Sequence, residues 1–405
     1  MEKSLDDFAA ELQEQIFEQT KQTYGEEVFA RWQNPEFMGR MVDATCVGKV
    51  TGKCGVPQAL SLEITHRCIA KCIMCNIWKI PPSVQDLPVE EWLKFLSSPV
   101  FGDLRELDIT GGEPFLREDL VDLVGGLLDL DLRKLRSIAV TTNALLGKRV
   151  VEQAEKMLRI LRDRSVDLVI VCAMDAAGEV HDRIRNFKGA WLKLNETIHD
   201  LMSLRETYPG LILGLKTTVL PINVAELDAI VRYADDGGLF TIISPCIITG
   251  GRYLNRDRAE ELAFQPIAIE KMKRFFRGET SRWIYHARKL VEYFDRGEVK
   301  KPCSCGFNYL FVRSTGDVFL CPLINSSVGN IQTTPVEEML NSAGASRFRR
   351  RIGKYPSCRR CTEPGLERYA LPYEGLAYLS LLLRLGKKRF LELHEHMGLD
   401  KYIDI

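Results

Sequence analysis

Residues 60–75 read LSLEITHRCIAKCIMC, and the way this stretch is read decides the fold. Leu60 to Ile64 is a short β-rich run, and Cys68, Cys72 and Cys75 follow it at the spacing Cys-x-x-x-Cys-x-x-Cys, in a loop. Three thiolates can wrap one corner of an iron–sulfur cluster, whereas a structural zinc or an electron-transfer cluster normally takes four protein ligands. A three-cysteine loop straight after a strand therefore leaves one position for an external ligand.

Outward from that stretch, β-rich runs recur at Glu106 to Thr110, Ile138 to Thr142, Leu168 to Met174, Leu211 to Val219 and Phe240 to Ser244. Between them lie helical spacings, as in Leu120, Leu123, Val124 and Leu127, in Val151, Ala154, Leu158 and Leu161, and in Leu227, Ile230, Val231 and Ala234. Strand then helix, repeated, is the pattern of a parallel sheet covered by helices; periodicity alone leaves open whether the sheet curls into a barrel. After Gly250, Gly251 and Arg252 a charged helical stretch runs to Lys301, and residues 302–365 hold five cysteines with a turn at Thr315-Gly316-Asp317. Leu376 to Leu385 is strongly apolar and is followed by Gly386, Lys387, Lys388 and Arg389. Such a helix is expected to dock on its own protein, with membrane contact as the alternative.

The chain has 405 residues and is 45% hydrophobic, enough for a full core and too much for a disordered chain. Lys plus Arg equals Asp plus Glu at 55 each, so no global field draws it to nucleic acid or an anionic membrane. Met1 to Thr20 is acidic and helix-like, with Ser4 and Asp7 matching a capping box, and lacks a signal peptide's apolar core. No segment reaches the roughly 18 uninterrupted apolar residues of a spanning helix, so a cytoplasmic, reducing location is expected. There, clustered cysteines bind metal or do chemistry rather than form disulfides. Of the 12 cysteines, Cys46, Cys54, Cys172 and Cys246 are isolated, and the last two sit in apolar runs that suit buried, inert thiols.

Gly111, Gly112, Glu113 and Pro114 follow the second β-rich run directly, where glycines permit close backbone approach and a carboxylate can accept from an ammonium. Together with the cysteine triad they resemble the signature of the radical S-adenosylmethionine (SAM) superfamily. The resemblance covers residues 58–250 and implies a partial barrel of six βα units, with a 4Fe–4S cluster on Cys68, Cys72 and Cys75 at the carboxyl ends of the strands. It implies that the open iron chelates SAM, whose reductive cleavage yields a 5′-deoxyadenosyl radical that abstracts hydrogen from substrate. By the same resemblance Gly111, Gly112, Glu113 and Pro114 bind the SAM amino group, and Thr142 and Asn143 approach SAM. Asp175, His181, Asp182 and Arg185 resemble the family's next motif, in which Arg185 pairs with the SAM carboxylate. The sequence departs from the family at Met74, where an aromatic residue is usual, and at Ala173, where a ribose-contacting serine is usual. On its own, His181 reads as structural rather than catalytic.

Cys303, Gly306, Gly316 and Cys321, with Cys358-x-x-Cys361, resemble the twitch domain, the shortened form of the SPASM domain of some radical SAM enzymes. This implies one auxiliary 4Fe–4S cluster on Cys303, Cys321, Cys358 and Cys361, with Cys305 as a substitute for Cys303; four thiolates suit zinc as well. A shorter likeness, Asn34-Pro35, Gly39-Arg40-Met41, Gly48 and Cys54-Gly55, is similar to the start of NifU/IscU-type iron–sulfur scaffold proteins, but Val56 replaces the scaffold's aspartate. The resulting division is an N-terminal helical arm (1–57), the barrel (58–250), a helical bridge (251–301), the twitch/SPASM-like domain (302–365) and an amphipathic tail (366–405).

The expected function is hydrogen abstraction from a small metabolite or a peptide, ending in a net oxidation with the auxiliary cluster as electron acceptor and flavodoxin or ferredoxin as electron donor. The alternatives are an iron–sulfur carrier or assembly protein, and an enzyme acting on a lipid. Glu113 in its motif separates the first alternative from the enzyme, since a carrier has no SAM amino group to hold.

Overall fold

The computed structural model describes residues 49–278 and 284–373, with the isolated positions 14 and 18. Most of the NifU-like stretch, Cys46 and the apolar tail lie outside the described residues.

The six β-rich runs all form strands: β1 (Ala59–Thr65), β2 (Glu106–Gly111), β3 (Ser137–Thr142), β4 (Asp167–Ala173), β5 (Leu211–Val219) and β6 (Phe240–Pro245). They pair in parallel and in chain order, β1 to β6. The connections carry α1 (Val89–Leu96), α2 (Leu120–Leu127), α3 (Lys148–Leu161), α4 (Gly178–Arg185), α5 (Ala190–Thr207) and α6 (Leu227–Asp236). Their apolar stripes, such as Leu120, Leu123, Val124 and Leu127 of α2, are buried in one continuous core against the outer face of the sheet. β1 is buried along its whole length, as a strand covered on both faces must be.

The sheet curls. One interior cavity is lined by side chains from every strand in turn, including Ser61 of β1, Asp108 of β2, Thr141 of β3, Val171 of β4, Lys216 of β5 and Ile242 of β6. A flat sheet cannot bring its two edges to one cavity, so the periodicity left open what the tertiary structure decides: a partial barrel.

The cysteine-rich region continues the same sheet. After α7 (Pro266–Arg277) and α8 (Ile284–Arg296), β7 (Tyr309–Val312) pairs in parallel with β1, and β8 (Asp317–Phe319) and β9 (Ser327–Asn330) extend it antiparallel. The strand order is β6-β5-β4-β3-β2-β1-β7-β8-β9. β1 thus stands between the barrel and the cysteine-rich region. Two short helices, α9 (Val336–Asn341) and α10 (Ala343–Arg351), and then α11 (Gly365–Tyr373) complete the described fold. α11 reaches back to the barrel interior: Tyr369 stacks on Tyr309 with centroids 5.0 Å apart, and Arg368 is paired with Glu106.

Arg349 of α10 is buried and ties three segments together, donating to the carbonyls of Gly52 at 2.7 Å, Leu340 at 2.7 Å and Gly306 at 3.4 Å. Arg349→Met leaves these acceptors unsatisfied and is expected to cost about 3 kcal/mol of stability, read from the midpoint of chemical denaturation. Arg349→Lys should not restore it, because a point charge cannot replace a planar fork that reaches three carbonyls. A loss below about 0.5 kcal/mol would contradict this role.

Candidate functional site

The loop after β1 is held from two sides. Its backbone donates from Lys71 to the Arg185 carbonyl (3.2 Å) and from Ile73 to that of Ile184 (3.0 Å), which fastens it to the end of α4. On the other side Asn76 donates to the Tyr253 carbonyl (2.9 Å), while Asn255 and Arg258 donate to the carbonyls of Met74 (2.8 Å) and Ile73 (2.9 Å). Cys72, Met74 and Ala70 pack with Leu145, Ile184 and Leu220 in an apolar cluster of their own. So held, Cys68, Cys72 and Cys75 all face one cavity, which Gly111, Gly112, Thr142, Asn143, Ala173 and Arg185 also line. Burial pushes the Cys68 and Cys75 thiols up to about 12 and raises that of Cys72. The Ala70 backbone amide opposes this at Cys68 and the Arg185 guanidinium, 3.7 Å from the sulfur, at Cys72; the Asn143 amide lies 3.7 Å from the sulfur of Cys68.

The glycine pair is required by backbone rather than by ligand alone. Gly111 has φ +151°, and a methyl group on Gly111 or Gly112 would run into the carbonyl oxygens of Thr65 or Arg67. Gly112 N–H donates to Thr65 (2.7 Å) and Glu113 N–H to Arg67 (2.8 Å), so the β2 turn is laced to the start of the cysteine loop. The Glu113 side chain is fully buried and is not among the residues lining the cavity. It accepts from the Thr142 hydroxyl (2.8 Å), the Asn143 amide (2.8 Å) and the Phe115 amide (3.2 Å). Burial lifts its carboxyl to about 7, against those three donors. Glu113 thus positions Thr142 and Asn143, which do reach the cavity.

The third motif divides its labour. Arg185 is buried, with its guanidinium 2.7 Å from both the Asp175 carboxylate and the Ala173 carbonyl. Asp175 also accepts from the Thr218 amide (2.9 Å), which links β4 to β5. His181 is wholly buried, accepts from the Asp175 amide (3.2 Å) and is held down near 3 by burial, so it is structural. Asp182 accepts from the Gly189 and Trp191 amides (2.6 and 2.8 Å), capping α5.

Cys303, Cys321, Cys358 and Cys361 line a second cavity, of about 550 Å³, edged by Lys300, Lys301 and Arg359. Cys305 is not part of that lining; it is buried behind it, its thiol hydrogen-bonded to those of Cys303 and Cys321. The two cavities are close in sequence terms: Cys361 lines the second, and Glu363 and Pro364 line the first. Between them the Thr362 carbonyl accepts from Ser244 at the end of β6 (2.6 Å). Among the described residues no three His, Cys, Asp or Glu side chains converge as the ligands of a single ion would.

Cys246 departs from its expected place. It is partly exposed on the wall of the first cavity rather than buried in the core, with the Asn255 amide 3.8 Å from its sulfur. Other residues of the site carried no motif: Asn255 is fully buried and locks the cysteine loop, and Trp78, three residues past Cys75, puts an aromatic ring in the cavity that Met74 also lines. Lys216, Arg252 and Glu363 likewise line it. The one signal for Lys216 and Arg252 was position, a charge in or just after a β-rich run.

Among curated relatives, the chain is 24% identical over 292 residues to the antilisterial bacteriocin subtilosin biosynthesis protein AlbA of Bacillus subtilis, covering 71% of this chain and 60% of that protein. It is 30% identical over 147 residues to the PqqA peptide cyclase of Rhodopseudomonas palustris, covering 36% of each. The match thus spans less than two thirds of either relative's length. The fold is shared with SuiB of Streptococcus suis bound to the precursor peptide SuiA, at a TM-score of 0.54 and 13% identity over 78% of this chain and 70% of that one. No helix among the described residues is long and apolar enough to cross a membrane. Residues 62–216 match the radical SAM superfamily and residues 303–362 the SPASM iron–sulfur cluster-binding domain, so the chain carries a radical SAM domain, of the kind that binds a 4Fe–4S cluster and SAM, followed by a SPASM domain.

Proposed function

We propose that the chain is a peptide-modifying radical SAM enzyme that performs a net oxidation, with Cys68, Cys72 and Cys75 holding the SAM-cleaving cluster and Cys303, Cys321, Cys358 and Cys361 an auxiliary one. The observation that carries this is the convergence of a three-thiol loop with Asn143 and Arg185 on one cavity, beside a second cavity lined by four thiols. The donor sets fit: three soft thiolates leave a corner for an exchangeable ligand, and four leave none. When bound, the first cluster with SAM supplies the hydrogen-abstracting radical, and the second a one-electron acceptor.

The chain's own residues set the stage for that chemistry. Arg185, fixed by Asp175 and the Ala173 carbonyl, presents a cation to the sulfur of Cys72 and to a carboxylate in the cavity. Asn143, fixed by Glu113, does the same with a neutral donor at Cys68. Met74, Ile77 and Trp78 supply apolar wall that keeps water from the reacting end. The segment from Cys361 to Glu363 is the short covalent route between the two cavities, which suits transfer of an electron from a substrate in the first to an acceptor in the second. A peptide substrate is favoured by the names of the relatives AlbA, the PqqA peptide cyclase and peptide-bound SuiB. Flavodoxin or ferredoxin is the proposed electron donor.

After anaerobic reconstitution and reduction, the wild type should cleave SAM slowly to 5′-deoxyadenosine without substrate, and Cys72→Ala should abolish it. Full cleavage by that variant would remove the triad from the chemistry. Arg185→Ala, which loses charge-assisted bonds of about 1.5–3 kcal/mol, and Glu113→Gln, which loosens the hold on Thr142 and Asn143, should each weaken SAM binding about tenfold or more at constant iron content. Unchanged SAM affinity in both would detach SAM from these residues. The wild type should hold about eight irons, and Cys321→Ala or Cys361→Ala about four, with SAM cleavage retained and substrate turnover impaired. A single zinc with no remaining iron in the triple triad variant would overturn the auxiliary cluster.

A further inference from the structure

β5 reads LILGLKTTV, an apolar strand with one cation at its centre. Alternation turns Leu213 and Leu215 toward the covering helices, where they are buried, and turns Ile212 and Lys216 toward the barrel interior. The interior wall around Lys216 is apolar: Ala139, Val169 and Val171 form a cluster there with Ile212 and Phe240. Among the described residues the Lys216 ammonium has neither a hydrogen-bond nor an ion-pair partner, although it lines both the cavity of the cysteine triad and the deeper one.

The acids of the interior are already engaged. Glu106 is paired with Arg368, Asp108 accepts from the Ser61 hydroxyl (2.8 Å), Glu63 lies 4.0 Å from Arg313, and Glu363 accepts from the Gly365 amide (3.2 Å). Arg252 lines the same two cavities as Lys216, donates to the Thr110 hydroxyl (3.1 Å) and lies over the Phe311 ring, and it too has no carboxylate within ion-pair reach. The Lys216 ammonium thus stands on an apolar stretch of wall, bordering cavity space rather than a carboxylate. Among the described residues no carboxylate lies within ion-pair reach of it, which leaves that place open to a ligand. The deeper cavity is lined by neither the triad cysteines nor Arg185, so Lys216 borders a space that Arg185 does not reach as well as the one that it does.

We propose that Lys216, with Arg252, is the substrate-anchoring subsite of this barrel and that it takes a carboxylate of the peptide to be modified. The inference rests on the peptide-modifying reading above and names the chemistry its substrate must carry. That carboxylate is either an acidic side chain or a free C-terminus. An uncapped charge of this kind selects by rejection as well as attraction: a neutral or cationic group at the same position leaves the ammonium unpaired or repelled.

The test is anaerobic calorimetric titration of the reconstituted full chain with SAM present. The probes are N-acetylated, C-amidated Ala-Glu-Ala and Ala-Gln-Ala, and N-acetyl-trialanine as the free acid. At least one acid should bind about tenfold more tightly than the neutral Gln peptide, and which acid does so identifies the source of the carboxylate. Lys216→Met should remove that preference, while Lys216→Arg, which keeps the charge, should retain most of it; thermal unfolding of both variants checks the fold. Equal binding of acid and neutral peptides, no binding of either acid, or a preference that survives Lys216→Met would overturn the proposal. So would a tenfold loss of SAM affinity in Lys216→Met, which would give the ammonium to the cofactor's carboxylate. If the same wild-type preparation forms no 5′-deoxyadenosine, the peptide-modifying radical SAM reading falls instead.

Discussion

The contact on which the rest depends is backbone against backbone: Gly111 and Gly112, ending β2, lie so close to Thr65, His66 and Arg67 that no side chain fits between them. Two hydrogen bonds, from Gly112 and Glu113 to Thr65 and Arg67, then join the end of β1 to the end of β2. The pairing register of the two strands shifts just there, between Glu63 and Thr65, and the chain leaves the sheet into the cysteine loop. From this junction Glu113 reaches across to the end of β3, and the loop is received by α4 and by residues 253–258. Thiols, donors and cavity are therefore placed by rigid strand ends rather than by a free loop, which is what a precise site requires.

β1 carries a second duty. Because β7 pairs with it in parallel, the sheet that presents the cysteine triad runs directly into the region that presents the second set of thiols. The hydrogen bond from Ser244 to Thr362 and the stacking of Tyr369 on Tyr309 close the connection from the other side. The distance between the two cavities is thus a property of one continuous sheet and core, not of a linker.

The buried polar groups of the site sort by whether the fold satisfies them. Glu113, Asp175, His181, Asp182 and Asn255 are engaged by backbone or neighbouring donors and define shape. Arg185 is half-engaged, bound to Asp175 yet turned toward Cys72 and the cavity. Lys216 has no hydrogen-bond or ion-pair partner among the described residues, which is the observation behind the proposed substrate-anchoring subsite.

The strands, the triad, the glycine motif and the second cysteine set were legible in the amino-acid sequence because each is written in local terms: an alternation, a spacing, or a residue type with few other uses. All six strands fall within two residues of the expected places, from Ala59–Thr65 to Phe240–Pro245. Curling of the sheet was not legible in the periodicity, since twist and closure come from packing summed over many strands, and was expected only through the family resemblance. Nor was the parallel pairing of β7 with β1, which joins residues some 250 positions apart through a four-residue strand too short for a periodic signal. The same limit applies to single side chains. Glu113 and Arg185 each stand in a motif tied to SAM, yet only the tertiary structure turns one behind the cavity wall and the other into it. It alone also leaves Lys216 facing a cavity with no partner, because whether a charge is met depends on which distant side chains arrive beside it, and spacing along the chain does not record that.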